Sequence, residues 1–292
     1  MNFTLISKSK LFSSYIKRIE GALKEMVATM GNKTDLRDAC EYSLLNGGKR
    51  FRPFIVLSIA DSLNKNHDVL FAALACEFFH TASLIADDLP CMDDEKTRRN
   101  KPTVHLVYGE NTAILASYSL ISAGYELIYK NAKELQTVLS KDECNNLCVH
   151  AIETVSRYAG IHGATGGQYL DLYSNKSSIE TINEIILKKT ISLFEIAFVL
   201  GWLFGGGSLD KLDVVRKCSY HFGMSFQIAD DIKDFEEDME KNKKINIAIS
   251  IGKKQAEDLL RKEVSKTKEI MKELNVFSSS LSMLTDLLEY NL

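Results

Sequence analysis

The chain has 292 residues, 45% hydrophobic and 26% charged, with a formal net charge of −3. That balance is ordinary for a globular protein; it excludes collagen-like and low-complexity classes and gives no reason to expect nucleic acid as a partner. Six cysteines form no CxxC pair and six histidines no HxxxH pattern, which argues against a zinc site and for a reducing, cytoplasmic setting.

In chain order, residues 1–19 contain no acid and several Ser and Lys, a composition shared with organelle import segments. The apolar spacing of 11–19 favours an amphipathic first helix, and import stays open. Next comes the basic turn Gly47-Gly48-Lys49-Arg50-Phe51-Arg52-Pro53, whose Lys49 and Arg52 share a helical face. Taken alone, it equally describes a helix cap followed by a solvated basic turn. Apolar residues recur at three- and four-residue steps through 69–86, 112–129, 147–161, 182–204 and 214–232, and alternating runs are scarce. The three prolines are residues 53, 90 and 102, so nothing beyond 102 interrupts long helices. Breaks near 47–48, 89–103, 131–141, 175–178, 205–207 and 238–252 are short connections suited to antiparallel helices. An all-α protein with one domain over 1–292 is expected. No apolar run is expected to reach the roughly 18 residues that span a bilayer, so no stable membrane insertion is expected.

Two acidic clusters end apolar stretches. In Asp87-Asp88-Leu89-Pro90-Cys91-Met92-Asp93-Asp94, Pro90 turns its predecessor away from helix, so Asp93 is reached through an irregular segment. In Asp230-Asp231-Ile232-Lys233-Asp234, the outer two acids lie one helical turn apart and repel unless a cation lies between them. A solvated acidic helix end is the plain alternative for this second cluster, because Glu236, Glu237, Asp238 and Glu240 continue the charge. Carboxylates beside apolar core are costly unless paired, and Mg²⁺ suits a few carboxylates, waters and substrate phosphates. Lys96, Arg98, Arg99 and Lys101 follow the first cluster, and arginines can grip phosphate in bidentate fashion. Together these residues describe a site for a diphosphate.

The set Gly47-Gly48-Lys49-Arg50-x-Arg52-Pro53, Asp87-Asp88-x4-Asp93 with Arg98-Arg99, Gly166-Gly167-Gln168, Lys189-Thr190 and Phe226-Gln227-x2-Asp230-Asp231-x2-Asp234 resembles the trans-isoprenyl diphosphate synthases, in order and spacing, across roughly residues 10–260. The resemblance implies a bundle of antiparallel helices around a deep central cavity, a homodimer, and three Mg²⁺ per active site. It implies Asp87, Asp88, Asp93, Asp230, Asp231 and Asp234 as metal ligands. Arg98, Lys189 and Lys244 are implied to contact the allylic diphosphate (dimethylallyl, geranyl or farnesyl). Lys49, Arg52, His80 and Arg99 are implied to hold isopentenyl diphosphate, with Thr190 and Gln227 near the reacting carbons. Residues one and two turns before Asp87 should set product length. Ala82 and Ser83 are small, and Phe79 one turn deeper is the expected floor, which favours a C20 product, geranylgeranyl diphosphate, over C15.

Some positions depart from the family pattern. Ala86 stands where His is usual, Asn100 where Gly is usual and Tyr118 where Asp is common, and 238–252 keeps Lys244 without its usual surroundings. Two alternatives stay open, a class I terpene cyclase and a non-catalytic regulatory subunit. The second acidic motif and the Lys49/Arg52 pair argue against the first; two intact acidic clusters argue against the second.

Overall fold

The computed structural model describes residues 10–174, 178–241 and 245–289; Lys244 lies outside them. The elements are α1 (Lys10–Ala28), α2 (Asp35–Leu44), α3 (Phe51–Leu63), α4 (Leu70–Asp87), the two-residue strands β1 (Thr97–Arg98) and β2 (Lys101–Pro102), α5 (Val104–Tyr108), α6 (Glu110–Glu134), α7 (Lys141–Ala159), α8 (Ala164–Tyr173), α9 (Ile179–Ile185), α10 (Ser192–Phe204), α11 (Leu212–Lys233), α12 (Phe235–Glu240), α13 (Ile247–Ile251), α14 (Lys253–Glu273) and α15 (Ser279–Glu289). The expected all-α class is what the structure has.

Local chemistry explains the boundaries. Thr34 caps α2 by accepting from the backbone N–H of Arg37, and Ser140 with Glu143 forms a reciprocal capping box on α7. The hairpin β1–β2 turns through Arg99 and Asn100, both at positive φ (55° and 63°), as a two-residue turn matching the strand twist requires. Asn tolerates that backbone, which explains how it can stand where the family usually has Gly. α9 runs without a break into α10 through a π-helical segment, Ile186–Ile191. Such wide turns frequently mark functional positions, and this one carries Lys189 and Thr190.

α4 packs along α6, α11 along α14, and the wholly buried α10 lies against α3, α7 and α11. One apolar cluster runs through these helices from Phe12 to Leu288. One expectation needs correcting. α4 is 18 residues long with mean hydropathy 1.3, long and apolar enough to cross a membrane. Its 61% burial inside the protein, and its Glu77, His80 and Asp87, identify it as a core helix.

Candidate active site

Two chambers meet between these helices. The first, about 550 Å³, is mostly apolar. The last turns of α4 form one wall with Phe79, Ala82, Ser83, Ala86 and Asp87; Ser117 and Ile121 of α6 and Gln168, Tyr169 and Leu172 of α8 form others. Phe79 lies deepest in sequence from Asp87, with its ring edge-on to Tyr125 at 5.2 Å. The usual histidine is Ala86 here, and that position lines the apolar chamber.

The second chamber, about 790 Å³, is lined by Asp93, Arg98, Asp171, Thr190, Gln227, Asp230, Asp231 and Asp234. Leu172 and Lys189 belong to both, so the two are joined there. The backbones of α8 and the π segment must come close to place Lys189. A side chain at Gly167 would put its Cβ 2.4 Å from the Lys189 backbone nitrogen, so only Gly fits.

Polar contacts order the charged chamber. Lys189 Nζ donates to Asp171 at 2.5 Å and lies 3.7 Å from Asp93. Burial works against its charge, but Asp171, Asp93 and Asp87 more than offset that and hold its pKa up. Asp93 also accepts from Gln168 Nε2 at 2.9 Å. Thr190 Oγ1 donates to Gln227 Oε1 at 2.7 Å, and Gln227 Nε2 donates to Asp231 at 2.8 Å. The other Asp231 oxygen accepts from the Ile247 N–H at 2.7 Å. The carboxylate of Asp88 is buried and gripped by Arg98 through both Nε and Nη2. Asp88 and Asp231 are thus engaged by the protein itself, and Asp88 lines neither chamber. Asp87, Asp93, Asp230 and Asp234 are the more open carboxylates.

Among the described residues no three His, Cys, Asp or Glu side chains stand together as a ready-made metal cage. The donor set nevertheless fits Mg²⁺, a hard ion that keeps waters and takes ligands from substrate phosphates. Burial pushes Asp87 up to about 7, and Asp93 and Asp88 push it the same way against Lys189. Burial likewise raises Asp230, with Lys49 opposing. These are carboxylates short of positive charge.

A second group of cations lies alongside. Arg52 stacks over the Phe194 ring at 4.4 Å, and its buried Nε has no hydrogen-bond partner. Burial pulls its pKa down to about 10. Burial, then Arg52 and Arg99, hold His80 well below the usual histidine range, so the ring is neutral. Lys49 lies within the field of Asp230 and Asp234 and 5.9 Å from the Phe226 ring. The structure therefore brings Arg52, His80 and Arg99 together, with Lys49 beside them across the Phe194–Phe226 ring pair. Tyr118 is 63% exposed on α6 and lines neither chamber. Sequence reasoning missed Asp171 and Glu77. Asp171 lies three residues after Gln168 on the face of α8 that meets Lys189, a spacing that could have flagged it.

The polyprenyl synthetase family model matches residues 33–272. The chain belongs to that family. It is 34% identical over 278 residues to the farnesyl diphosphate synthase of Bacillus subtilis, covering 93% of this chain and 92% of that protein. It is 34% identical over 229 residues to a putative chloroplastic geranylgeranyl pyrophosphate synthase 8 of Arabidopsis thaliana, covering 76% of this chain and 62% of that one. The chain thus spans less than two thirds of that plant relative. Among solved structures, a geranyltransferase from Legionella pneumophila superposes with a TM-score of 0.84 at 27% identity, covering 99% of both chains.

Proposed function

We propose that this chain is a prenyltransferase that condenses isopentenyl diphosphate with an allylic diphosphate, releasing diphosphate, and that its main product is geranylgeranyl diphosphate. The observation that carries this reading is the junction at Lys189 and Leu172. There a carboxylate- and cation-lined chamber opens into an apolar one walled by Ala82 and floored by Phe79. A diphosphate fits the first and a growing hydrocarbon the second.

In the reaction the C1–O bond of the allylic substrate breaks and its electron pair leaves with diphosphate. The isopentenyl double bond then attacks C1, and loss of a proton from C2 of that unit to the departing diphosphate restores an alkene. Arg98 and Lys189 stabilise negative charge as the bond breaks. Mg²⁺ held by Asp87, Asp93, Asp230 and Asp234 supplies further charge stabilisation when bound. The Thr190 hydroxyl and Gln227 amide, held by each other and by Asp231, present fixed dipoles beside the reacting carbons. The apolar walls keep water from the allylic cation. Lys49, Arg52 and Arg99, with neutral His80, hold the isopentenyl diphosphate.

A homodimer is part of this proposal. α6 exposes Ile114, Leu115, Tyr118 and Tyr129, and α7 exposes Val149 and Ile152. A face this apolar suits a second copy of the chain. The test is product chromatography of purified chain with isopentenyl diphosphate and each of the C5, C10 and C15 primers, with and without Mg²⁺. A C20 product that disappears on chelation is expected. No condensation would refute the activity, and a C15 end point would refute the product.

A further inference from the structure

Glu77 stands nearly three turns before Asp87 on α4 and is only 2% exposed. It lines neither chamber, yet it sits among three arginines. Its carboxylate accepts a short hydrogen bond from Arg50 and lies 3.8 Å from the Arg99 guanidinium, and its field acts on Arg52. A carboxylate so deeply buried is costly unless it is paired, and Glu77 is paired with Arg50 and Arg99.

Arg50 cannot serve a ligand. It sits at positive φ between Gly48 and the start of α3, with its side chain fully enclosed. Its Nε donates to Glu20 at 2.6 Å and its Nη2 to the carbonyl of Leu44 at 2.5 Å, so it ties α1, α2 and α4 together. Glu77 passes that fixed point on to the cations beside it. Arg99 donates to the carbonyl of Gly47 and lies flat on Gly48, where a Cβ would stand 2.5 Å from its Cζ. Arg52 projects from the first turn of α3, over Phe194. Arg50, Arg52 and Arg99 are thus three cations beside Glu77 and the partly exposed Glu20, while Lys49 faces Asp230 and Asp234. An excess of positive charge remains, and its spacing depends on one buried carboxylate.

We propose that Glu77 is a positioning residue which, anchored by Arg50, sets the separation of Arg52 and Arg99 and so shapes the anion site for isopentenyl diphosphate. This rests on the reading of that site given above. Without the charge of Glu77, Arg50, Arg52 and Arg99 repel in a poorly solvated region, and Arg99 loses its side-chain counterion.

The test is steady-state kinetics of Glu77→Gln, which keeps the shape and removes the charge, beside Glu77→Asp and Arg52→Ala. Glu77→Gln should raise the KM for isopentenyl diphosphate by about tenfold, the scale of one charge-assisted hydrogen bond, and leave the allylic KM within about twofold. Glu77→Asp keeps the charge and should raise the isopentenyl KM only about threefold, a partial rescue. If Arg52→Ala raises that KM and neither Glu77 variant does, or if both KM values rise equally, Glu77 is only structural and the proposal is overturned. If Arg52→Ala leaves the isopentenyl KM unchanged, the anion-site reading itself fails, and the proposal with it. Should Glu77→Gln not fold, Glu77→Asp carries the test: an isopentenyl-selective rise supports positioning, and an unchanged KM refutes it.

Discussion

Replacing Ala82 by Phe should shorten the product from C20 to C15. Ala82 is buried and lines the apolar chamber one turn above Phe79. Its carbonyl accepts from Ser117 Oγ at 2.9 Å, which pins α4 against α6, so an added ring has to turn into the cavity. A phenyl ring takes the room of roughly three waters at ~30 Å³ each, in a chamber of about 550 Å³. The loss falls where the last isoprene unit would lie. Burying five carbons at ~0.8 kcal/mol each favours that unit by about 4 kcal/mol. At ~1.4 kcal/mol per tenfold, the ratio of C20 to C15 should fall by up to about 10³, and by about 30-fold if only half the unit is enclosed. The ring enters open space, so the cost to folding should be near the lower end of the ~1–3 kcal/mol usual for overpacking. The assay is chromatography of dephosphorylated products from C5, C10 and C15 primers, with a melting curve to confirm folding. A folded variant whose C20 to C15 ratio is unchanged would refute the placement of the growing chain along α4.

Phe79→Ala removes the floor and should extend products beyond C20, visible in the same chromatograms; an unchanged end point would move the floor elsewhere. Asn246→Ala should lower the melting temperature by about 5 °C, because Asn246 caps α13 and donates to the Asp231 carbonyl at 3.0 Å and to Asp238 at 2.9 Å. A lost cap and two lost buried hydrogen bonds together cost about 2.5 kcal/mol, and each kcal/mol moves a chain of this size by about 2 °C. A shift under about 1 °C in calorimetry would contradict that network. His80 gives a pH test. Its pKa in the fold lies well below the ordinary 6.5, so the unfolded chain takes up a proton that the folded chain refuses. Its contribution to stability is therefore complete above about 6.5 and lost as pH falls below it. Melting temperatures at pH 7 and pH 5 should drop less in His80→Gln than in the parent, and equal drops would mean that His80 is not held neutral.

Much of the fold was legible because helices are local. The three- and four-residue apolar steps at 69–86, 182–204 and 214–232 became α4, the α9–α10 helix and α11. The end of α4 at Asp87 was legible too, because Pro90 and the run of acids leave no helical continuation. The expectation that no segment could span a bilayer was not met by α4, since composition and length alone cannot tell a buried core helix from a membrane span. Equivalent acids also looked alike in the sequence. Asp88 is engaged by Arg98 and Asp231 by Gln227 and the Ile247 N–H, partners that lie ten, four and sixteen residues away.

The order and spacing of the charged motifs carried the family resemblance, and helix geometry alone put Phe79, Ala82 and Ser83 on the one face of α4 that lines the apolar chamber. Only the tertiary structure decided which charges are free and which are consumed. Arg50 lies between Lys49 and Arg52 and has the same chemistry as Arg52, yet the fold closes Glu20, Glu77 and Leu44 around it. Lys189 meets Asp171 and Asp93 for a similar reason, since a close helix contact at Gly167 brings distant segments within hydrogen-bond reach. Pairing depends on distances between segments far apart in the chain, and folding alone sets those distances.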